Sequence, residues 1–336
     1  MAPGINFGNT LEAIGSGTPP FTTSQETAWG NPAANQAIFT AFKAAGFKSV
    51  RIPVAWNQYA DASGNIDPTW MARVKTVVDY ARTAGLYVII NIHWDGGWMQ
   101  PTYASQTAAN AKLTKFWTQI ATTFKGYDDH LLFAGTNEVG VTGVYSGPTA
   151  ENCAVQTGFN QAFVDAVRAT GGNNSSRFLV VQGYSTNIDW TISNCSATLP
   201  ADSATGRIMM ELHYYDPYDF TLNDKSSIWQ WGATATDASA TETWANEAYV
   251  DTEFQKLKTS FVDKGVPVIL GEYGAYNKPA YAGMDAYRLK WDQYITHSAF
   301  SHGVVPIYWD TGGLIDRTTG AQTDTGGITT LINAAK

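Results

Sequence analysis

Four times along this chain an amphipathic stretch runs into a glycine and continues at once as an unbroken apolar segment. The four read AAGFKSVRIPV at Gly46, TAGLYVIINIHW at Gly85, DKGVPVILGEY at Gly265 and SHGVVPIYWD at Gly303. The first two glycines and the last two are each separated by roughly 40 residues, room for one strand, one helix and two loops. The apolar segments are continuous rather than alternating, so both faces of each strand are covered, as in a parallel sheet lined with helices. The intervening helices carry their own signals. Asp67 is placed as an N-cap with Pro68 at the first helical position, Trp70, Val74, Val77, Val78 and Ala81 follow at helical spacing, and Gly85 supplies the left-handed stop. Asn31-Pro32 is read as opening the helix before it, with Ile38, Phe42 and Ala45 on the buried face.

Extended along the chain, this reading gives eight strands, near 4–8, 48–54, 86–92, 131–136, 177–183, 207–214, 266–271 and 304–309. Helices are expected near 32–45, 67–84, 107–125, 155–170, 244–264, 285–301 and 326–335, while 184–206 is weakly periodic and has room for a short helix only. Alternating strands and helices define an α/β fold, and eight units favour closure into a single-domain (β/α)8 TIM barrel over residues 1–336. Neither Gly-x-Gly-x-x-Gly after a strand nor a Gly-x-x-x-x-Gly-Lys-Ser/Thr loop occurs, which removes the main support for a nucleotide fold. Asp216 to Glu242 reads as a long βα loop, which in a barrel stands on the catalytic face.

Charged residues make up only 15% of the chain and the net charge is −8, so nucleic acid, which demands clustered Lys and Arg, is not an expected partner. No apolar run approaches the ~18 residues of a membrane span, and no membrane partner is expected. Met1-Ala2-Pro3 runs straight into strand-like sequence without a leader, as expected of a mature domain. Cys153 and Cys195 are either reduced thiols or a disulfide; both lie in polar, loop-like sequence, which favours the disulfide and an extracellular setting. Asn-x-Ser sites at Asn174 and Asn194 are compatible with secretion.

Polar residues gather at the C-terminal ends of the expected strands: Asn6 and Asn9, Arg51, His93 and Trp94, Asn137 and Glu138, His213 and Tyr215, Glu272 and Tyr273, Trp309 and Asp310. Parallel barrel strands point one way, so these ends converge on one rim. Glu138 and Glu272 each close an apolar run, LLFAGTNE and VPVILGE. A glutamate at such an edge is costly unless it is paired or functional. It is either half of an ion pair with Arg51 or, as two facing carboxylates, the acid and nucleophile of glycoside hydrolysis. His93 and His213 could suggest a metal, but no His-x-His or His-Glu-x-x-His accompanies them, so neither a metal nor another cofactor is expected. Aromatics in loop sequence (Trp29, Trp94, Trp98, Tyr103, Tyr218, Trp229, Trp231) offer faces on which sugar rings stack. A cleft lined this way holds a polymer at several positions, which points to internal cutting.

The blocks INFGNTLEA, SVRIPV, NIHWDGGW, AGTNEV, ELHYYDPYDF, LGEYGA and YWDTG, in this order and at barrel spacing, resemble the family 5 glycoside hydrolases almost end to end. GNTLEA and ETAWGNP are most similar to the endoglucanases of anaerobic gut microbes and rumen fungi. The resemblance implies a secreted, retaining endo-β-1,4-glucanase acting on cellulose, related β-glucans and cello-oligosaccharides, working as a monomeric catalytic domain. It implies Glu138 as general acid/base and Glu272 as nucleophile, with Asn9, Trp29, Arg51, His93, Trp94, Asn137, His213, Tyr215 and Trp309 binding substrate. Arg51 is expected to orient Glu272 and lower its pKa, Asn137 to bond the sugar 2-hydroxyl, and Trp309 to underlie the sugar before the cut. Many relatives carry Asn-Glu-Pro where this chain has Asn137-Glu138-Val139, a change in loop stiffness rather than chemistry. Two other readings use the same residues differently: a hydrolase acting mainly on xyloglucan, mixed-linkage glucan, xylan or mannan, and a non-catalytic carbohydrate-binding protein.

Overall fold

The computed structural model describes residues 1–93 and 96–336. Its centre is a closed barrel of eight parallel strands in sequential order. These are β1 (Gly4–Asn6), β2 (Ser49–Ile52), β3 (Tyr87–Asn91), β4 (Leu131–Ala134), β5 (Leu179–Gln182), β6 (Ile208–Tyr214), β7 (Val268–Tyr273) and β8 (Val304–Tyr308). Around them run α1 (Gln36–Ala45), α2 (Pro68–Thr83), α3 (Tyr103–Phe124), α4 (Ala150–Ala169), the single turn α5 (Tyr218–Thr221), α6 (Glu247–Ser260), α7 (Met284–Ser301) and α8 (Thr325–Ala334). Each strand falls within two residues of its expected place. Between β5 and β6 there is no α-helix among the described residues, only short turns and one wide turn at Trp190–Asn194. No helix among them is long and apolar enough to cross a membrane.

The helix signals act as chemistry requires. Asp67 accepts from the N–H groups of Thr69 and Trp70, and Trp70, Val74, Val77, Val78 and Ala81 are buried. At the end of α1, Gly46 takes φ 109°, a conformation closed to side chains, and its N–H meets the carbonyls of Lys43 and Phe42. The start of α1 corrects the expectation. Asn35, not Asn31, caps it, accepting from Ala37 and Ile38. The Asn31 amide is spent elsewhere, donating to the carbonyls of Gly8 (3.2 Å), Asn9 (3.1 Å) and Thr311 (3.1 Å), and so ties the loop after β1 to the loop after β8. Cys153 and Cys195 are bonded. Cys153 lies in the first turn of α4 rather than in a loop, and the bond fastens the helix-less β5–β6 segment to that helix.

Two cores follow from the strand period of two. Outward residues such as Val50, Ile52, Val88, Ile90 and Leu270 pack under the helices, while Ile89, Leu132, Val180, Met209, Ile269 and Ile307 fill the barrel. One step toward the C-terminal ends, the inward positions turn polar and stay buried: Asn6, Arg51, Asn91, Gln182 and Glu211. The barrel axis therefore runs from an apolar floor to a polar layer beneath the rim.

The β6–β7 ladder carries the irregularity that builds the rim. Glu211 pairs with Ile269 and Leu212 with Leu270, but His213 pairs with Glu272, skipping Gly271. Strict alternation would turn Glu272 outward; the inserted residue turns it in, beside His213. Gly271 is also a necessity of space, since a Cβ there would stand 2.0 Å from Glu211 Oε1.

Candidate active site

At the rim the polar strand ends meet as expected. Glu138 follows β4, and its side chain is 46% exposed, while Glu272 on β7 is 8% exposed. A nitrogen of His213 and one oxygen from each glutamate lie within 4.8 Å of one another. Oxygens this near fit a pair of carboxylates about 5–5.5 Å apart, the arrangement in which one of them attacks the sugar directly.

Arg51, fully buried, is the hub. Its Nη1 donates to Glu272 Oε1 (2.8 Å) and Asn6 Oδ1 (3.0 Å), its Nη2 donates to Asn137 Oδ1 (2.7 Å), and its Nε lies 2.8 Å from Glu211 Oε1. The ion pair with Arg51 weighed as the alternative for a glutamate is thus real for Glu272, and it lies inside the site. Tyr215 donates its hydroxyl to Glu272 Oε2 at 3.1 Å, so both oxygens of that carboxylate are held. His213 sits between carboxylates, Nδ1 at 2.6 Å from Glu138 Oε1 and Nε2 at 3.3 Å from Glu211 Oε1. His93 takes a different state. Asn91, whose Oδ1 accepts from the Val54 N–H, points its Nδ2 at His93 Nδ1 (3.1 Å), so that ring nitrogen accepts. The His93 ring stacks on Trp309, centroids 5.8 Å apart. Gly8 lies under that indole, where a Cβ would come within 3.1 Å of the ring.

Charge follows the contacts, with one correction. The Glu272 carboxyl is raised, not lowered: burial outweighs the pull of His213 and Arg51, and the charges of Glu138 and Glu211 add to it. Glu138 is lowered: the water it loses to its neighbours is outweighed by the hydrogen bond and charge of His213, helped by Arg51. Two carboxyls so close titrate as a pair. His213 is raised to about 9, its burial being outweighed by Glu272, Glu138 and Glu211. His93 falls well below the usual histidine range through burial and the charges of Arg51 and His213. Glu211 drops to about 2, burial losing to Arg51, His213 and Gln182. Glu138, His213 and Glu272 are also the one set among the described residues that could offer three ligands to a metal. Arg51 already holds Glu272 and His213 is engaged at both nitrogens, so the set is spent on the protein's own hydrogen bonds.

The remaining expected residues divide. Asn9 adopts a left-handed turn (φ 58°) with its N–H on Glu12, and the contacts of its backbone are with the β1 loop. Trp29 is exposed and anchored by its Nε1 on the Ile14 carbonyl at 3.1 Å. Neither touches the catalytic cluster through these bonds. Trp94 lies outside the described residues. Of the loop aromatics, Trp231 is a core residue bonded to the Ala245 carbonyl, Trp229 stacks on Tyr281, and Trp98 packs edge-on against Phe116. Tyr103 and Tyr218 are exposed as expected. Exposed aromatics that the sequence reading missed are Tyr145, Trp244 and Tyr276, each on a segment following a strand's C-terminal end, and Phe300 near the end of α7. Glu211 and Gln182 were missed too. The signal for Glu211 was a carboxylate interrupting IMMELHYY, two residues from His213 and four from Tyr215, hence on one face.

Two hollows open at the rim beside Tyr215. A cavity of about 470 Å³ is lined by Tyr215, Tyr276, Tyr308, Trp309 and Asp310, and one of about 160 Å³ by Glu138, Asn187, His213, Tyr215 and Tyr249. Tyr215, which holds Glu272, lines both hollows, and Glu138 lines the smaller one.

The family model described as cellulase, glycosyl hydrolase family 5, matches residues 12–313. Endoglucanase A of Paenibacillus barcinonensis is 40% identical over 93% of this chain and 81% of its own length. Among solved structures, the Bacteroides ovatus family 5 xyloglucanase in complex with a XXXG heptasaccharide superposes with a TM-score of 0.93 at 41% identity, covering 99% of this chain and 74% of that one. A broad-specificity endoglucanase from Bacteroides salanitronis gives 0.91 at 38% identity, covering 99% and 92%.

Proposed function

The chain belongs to the cellulase family, glycosyl hydrolase family 5, and from that premise we infer that it is an endo-β-1,4-glucanase that cuts β-glucan chains internally with retention of configuration. The observation that carries this reading is the close carboxylate pair, Glu138 and Glu272, with oxygens within 4.8 Å of one another. Glu272 is the nucleophile. Arg51 and Tyr215 fix both its oxygens, so it meets the anomeric carbon in one orientation, and their hydrogen bonds support its charge. Glu138 is the acid/base. It is the exposed member of the pair, and a sugar laid over it removes water and raises its carboxyl toward the protonated form that the leaving oxygen needs. Glu138 then takes a proton from the water that releases the sugar from Glu272. Asn137, whose Oδ1 is committed to Arg51, keeps its amide N–H groups for a sugar hydroxyl. Trp309 gives a ring face beside the pair. The two hollows that share Tyr215 suit a chain longer than one sugar, hence internal cutting. The disulfide supports a secreted protein.

Release of reducing sugar from carboxymethylcellulose, mixed-linkage β-glucan, xyloglucan, xylan and mannan tests this. Activity on the glucans is expected, falling by about three orders of magnitude or more in Glu272→Ala and Glu138→Ala. A folded protein inactive on every glucan, or a Glu272→Ala variant keeping a tenth of the rate, would sink the reading. A second reading, preference for a branched β-1,4-glucan, is favoured by the 470 Å³ cavity beside Trp309, which has room for a side branch, and the same ranking decides it.

A further inference from the structure

Glu211 touches neither hollow, is 1% exposed, and yet holds the two halves of the site together. Its Oε1 faces Arg51 Nε at 2.8 Å and His213 Nε2 at 3.3 Å, and its Oε2 accepts from Gln182 Nε2 at 2.7 Å. Gln182 is itself fixed, its Oε1 accepting from the backbone and hydroxyl of Thr136 just before Asn137 and Glu138. The consequence for His213 follows from donors and acceptors alone. A carboxylate only accepts, and His213 has a carboxylate on each nitrogen, Glu138 on Nδ1 and Glu211 on Nε2. Both ring nitrogens must then donate, which is the imidazolium. His93 shows the contrast, with an amide donor on Nδ1.

We infer that Glu211 is a positioning residue that keeps His213 doubly protonated and links its charge to Arg51, so that the two reactive glutamates share one electrostatic unit. This rests on the roles given above to Glu138 and Glu272. The charged and titratable groups facing the unit are Arg51 from β2, His93 after β3, Glu138 after β4, Glu211, His213 and Tyr215 on and after β6, and Glu272 from β7. Arg51 and an imidazolium bring two positive charges against three carboxylates. Glu211 supplies the one negative charge that no substrate reaches. Removing it lowers the proton affinity of every neighbour at once, so the whole pH–rate profile moves toward acid. Loss of a purely structural residue would lower the profile without moving it.

The test uses the full chain, wild type and Glu211→Gln, with nitrogen-15-labelled histidine. The ring N–H protons of His213 are read by NMR in the absence of sugar, and kcat/KM is followed against pH on a soluble β-glucan. Two N–H protons on His213 from about pH 5 to about pH 8 are expected in the wild type, and one in Glu211→Gln near neutrality, with both limbs of the profile about one pH unit or more lower. Gly271→Ala is the second variant. It keeps every titratable group and pushes Glu211 off its partners, so it should move the profile the same way even where Glu211→Gln does not fold. Glu211→Asp, which keeps the charge, should bring the limbs back most of the way. One N–H on wild-type His213 at pH 6, or limbs that stay in place in both Glu211→Gln and Gly271→Ala, would overturn the inference. The NMR result stands apart from the proposed activity, because it needs no substrate.

Discussion

Glu12 is 1% exposed behind β1 and accepts the backbone N–H groups of Asn9 and Thr10, yet its carboxyl is raised to about 7 because burial outweighs those bonds. Asp292, raised to about 7 mainly by burial, has one oxygen without a partner and behaves alike. The native protein therefore holds protons that the unfolded chain has released between about pH 4.5 and 7, and stability falls as pH climbs through that window and levels off above it. For Glu12 the loss is about 3 kcal/mol on the scale of 1.36 kcal/mol per pH unit. Urea unfolding at acid and neutral pH should show it, and Glu12→Gln should flatten the fall; equal slopes in both proteins would count against it. The same balance explains why the direction of the Glu272 shift escaped a reading from sequence. Its charged neighbour Arg51 was legible in SVRIPV, but the degree of burial and the like charge of Glu211 were not, and these decide the direction.

Strands, by contrast, were legible to within two residues, because a continuous apolar run bounded by glycine has one physical interpretation in a parallel barrel. Helix starts were less so. Asn31-Pro32 and Asn35 are equal caps on paper, and only the three carbonyls that converge on the Asn31 amide separate them. The bulge at Gly271 was invisible as well, since it concerns register between β6 and β7, though the glutamate it turns inward was found by its place at the end of a run. The β5–β6 segment was expected to hold a short helix at most, and it is the element that leans most on a covalent tie. Its disulfide closes a loop of 42 residues, worth about 4 kcal/mol on the chain-entropy view. A Cys153→Ser/Cys195→Ser variant should lose up to that amount in urea unfolding while keeping its β-glucanase rate. An unchanged midpoint would show that the irregular segment, with left-handed Ser185, Thr186, Ser196 and Ala197, holds itself in place.

Across the whole molecule one gradient organises everything: apolar side chains fill the barrel floor, buried polar ones the layer above, and partly exposed reactive ones the rim. Most of the exposed aromatics add to it: Trp29, Tyr103, Tyr145, Tyr218, Trp244 and Tyr276 stand on segments that follow the C-terminal ends of strands, and Phe300 near the end of α7 is the exception. Which aromatics would be exposed was only half readable, because a tryptophan in loop sequence can fold back into the core as Trp231 does. The close spacing of Glu138 and Glu272 is where this architecture meets the proposed chemistry, which places a covalent intermediate on Glu272 and two inversions at the same carbon. The most direct check is the configuration of the reducing end at the moment it is formed, followed by proton NMR during hydrolysis of a cello-oligosaccharide. A β-anomer that appears first and mutarotates afterwards is the retaining outcome. An α-anomer appearing first would mean a single displacement by water, and would contradict the assignment of Glu272 as nucleophile.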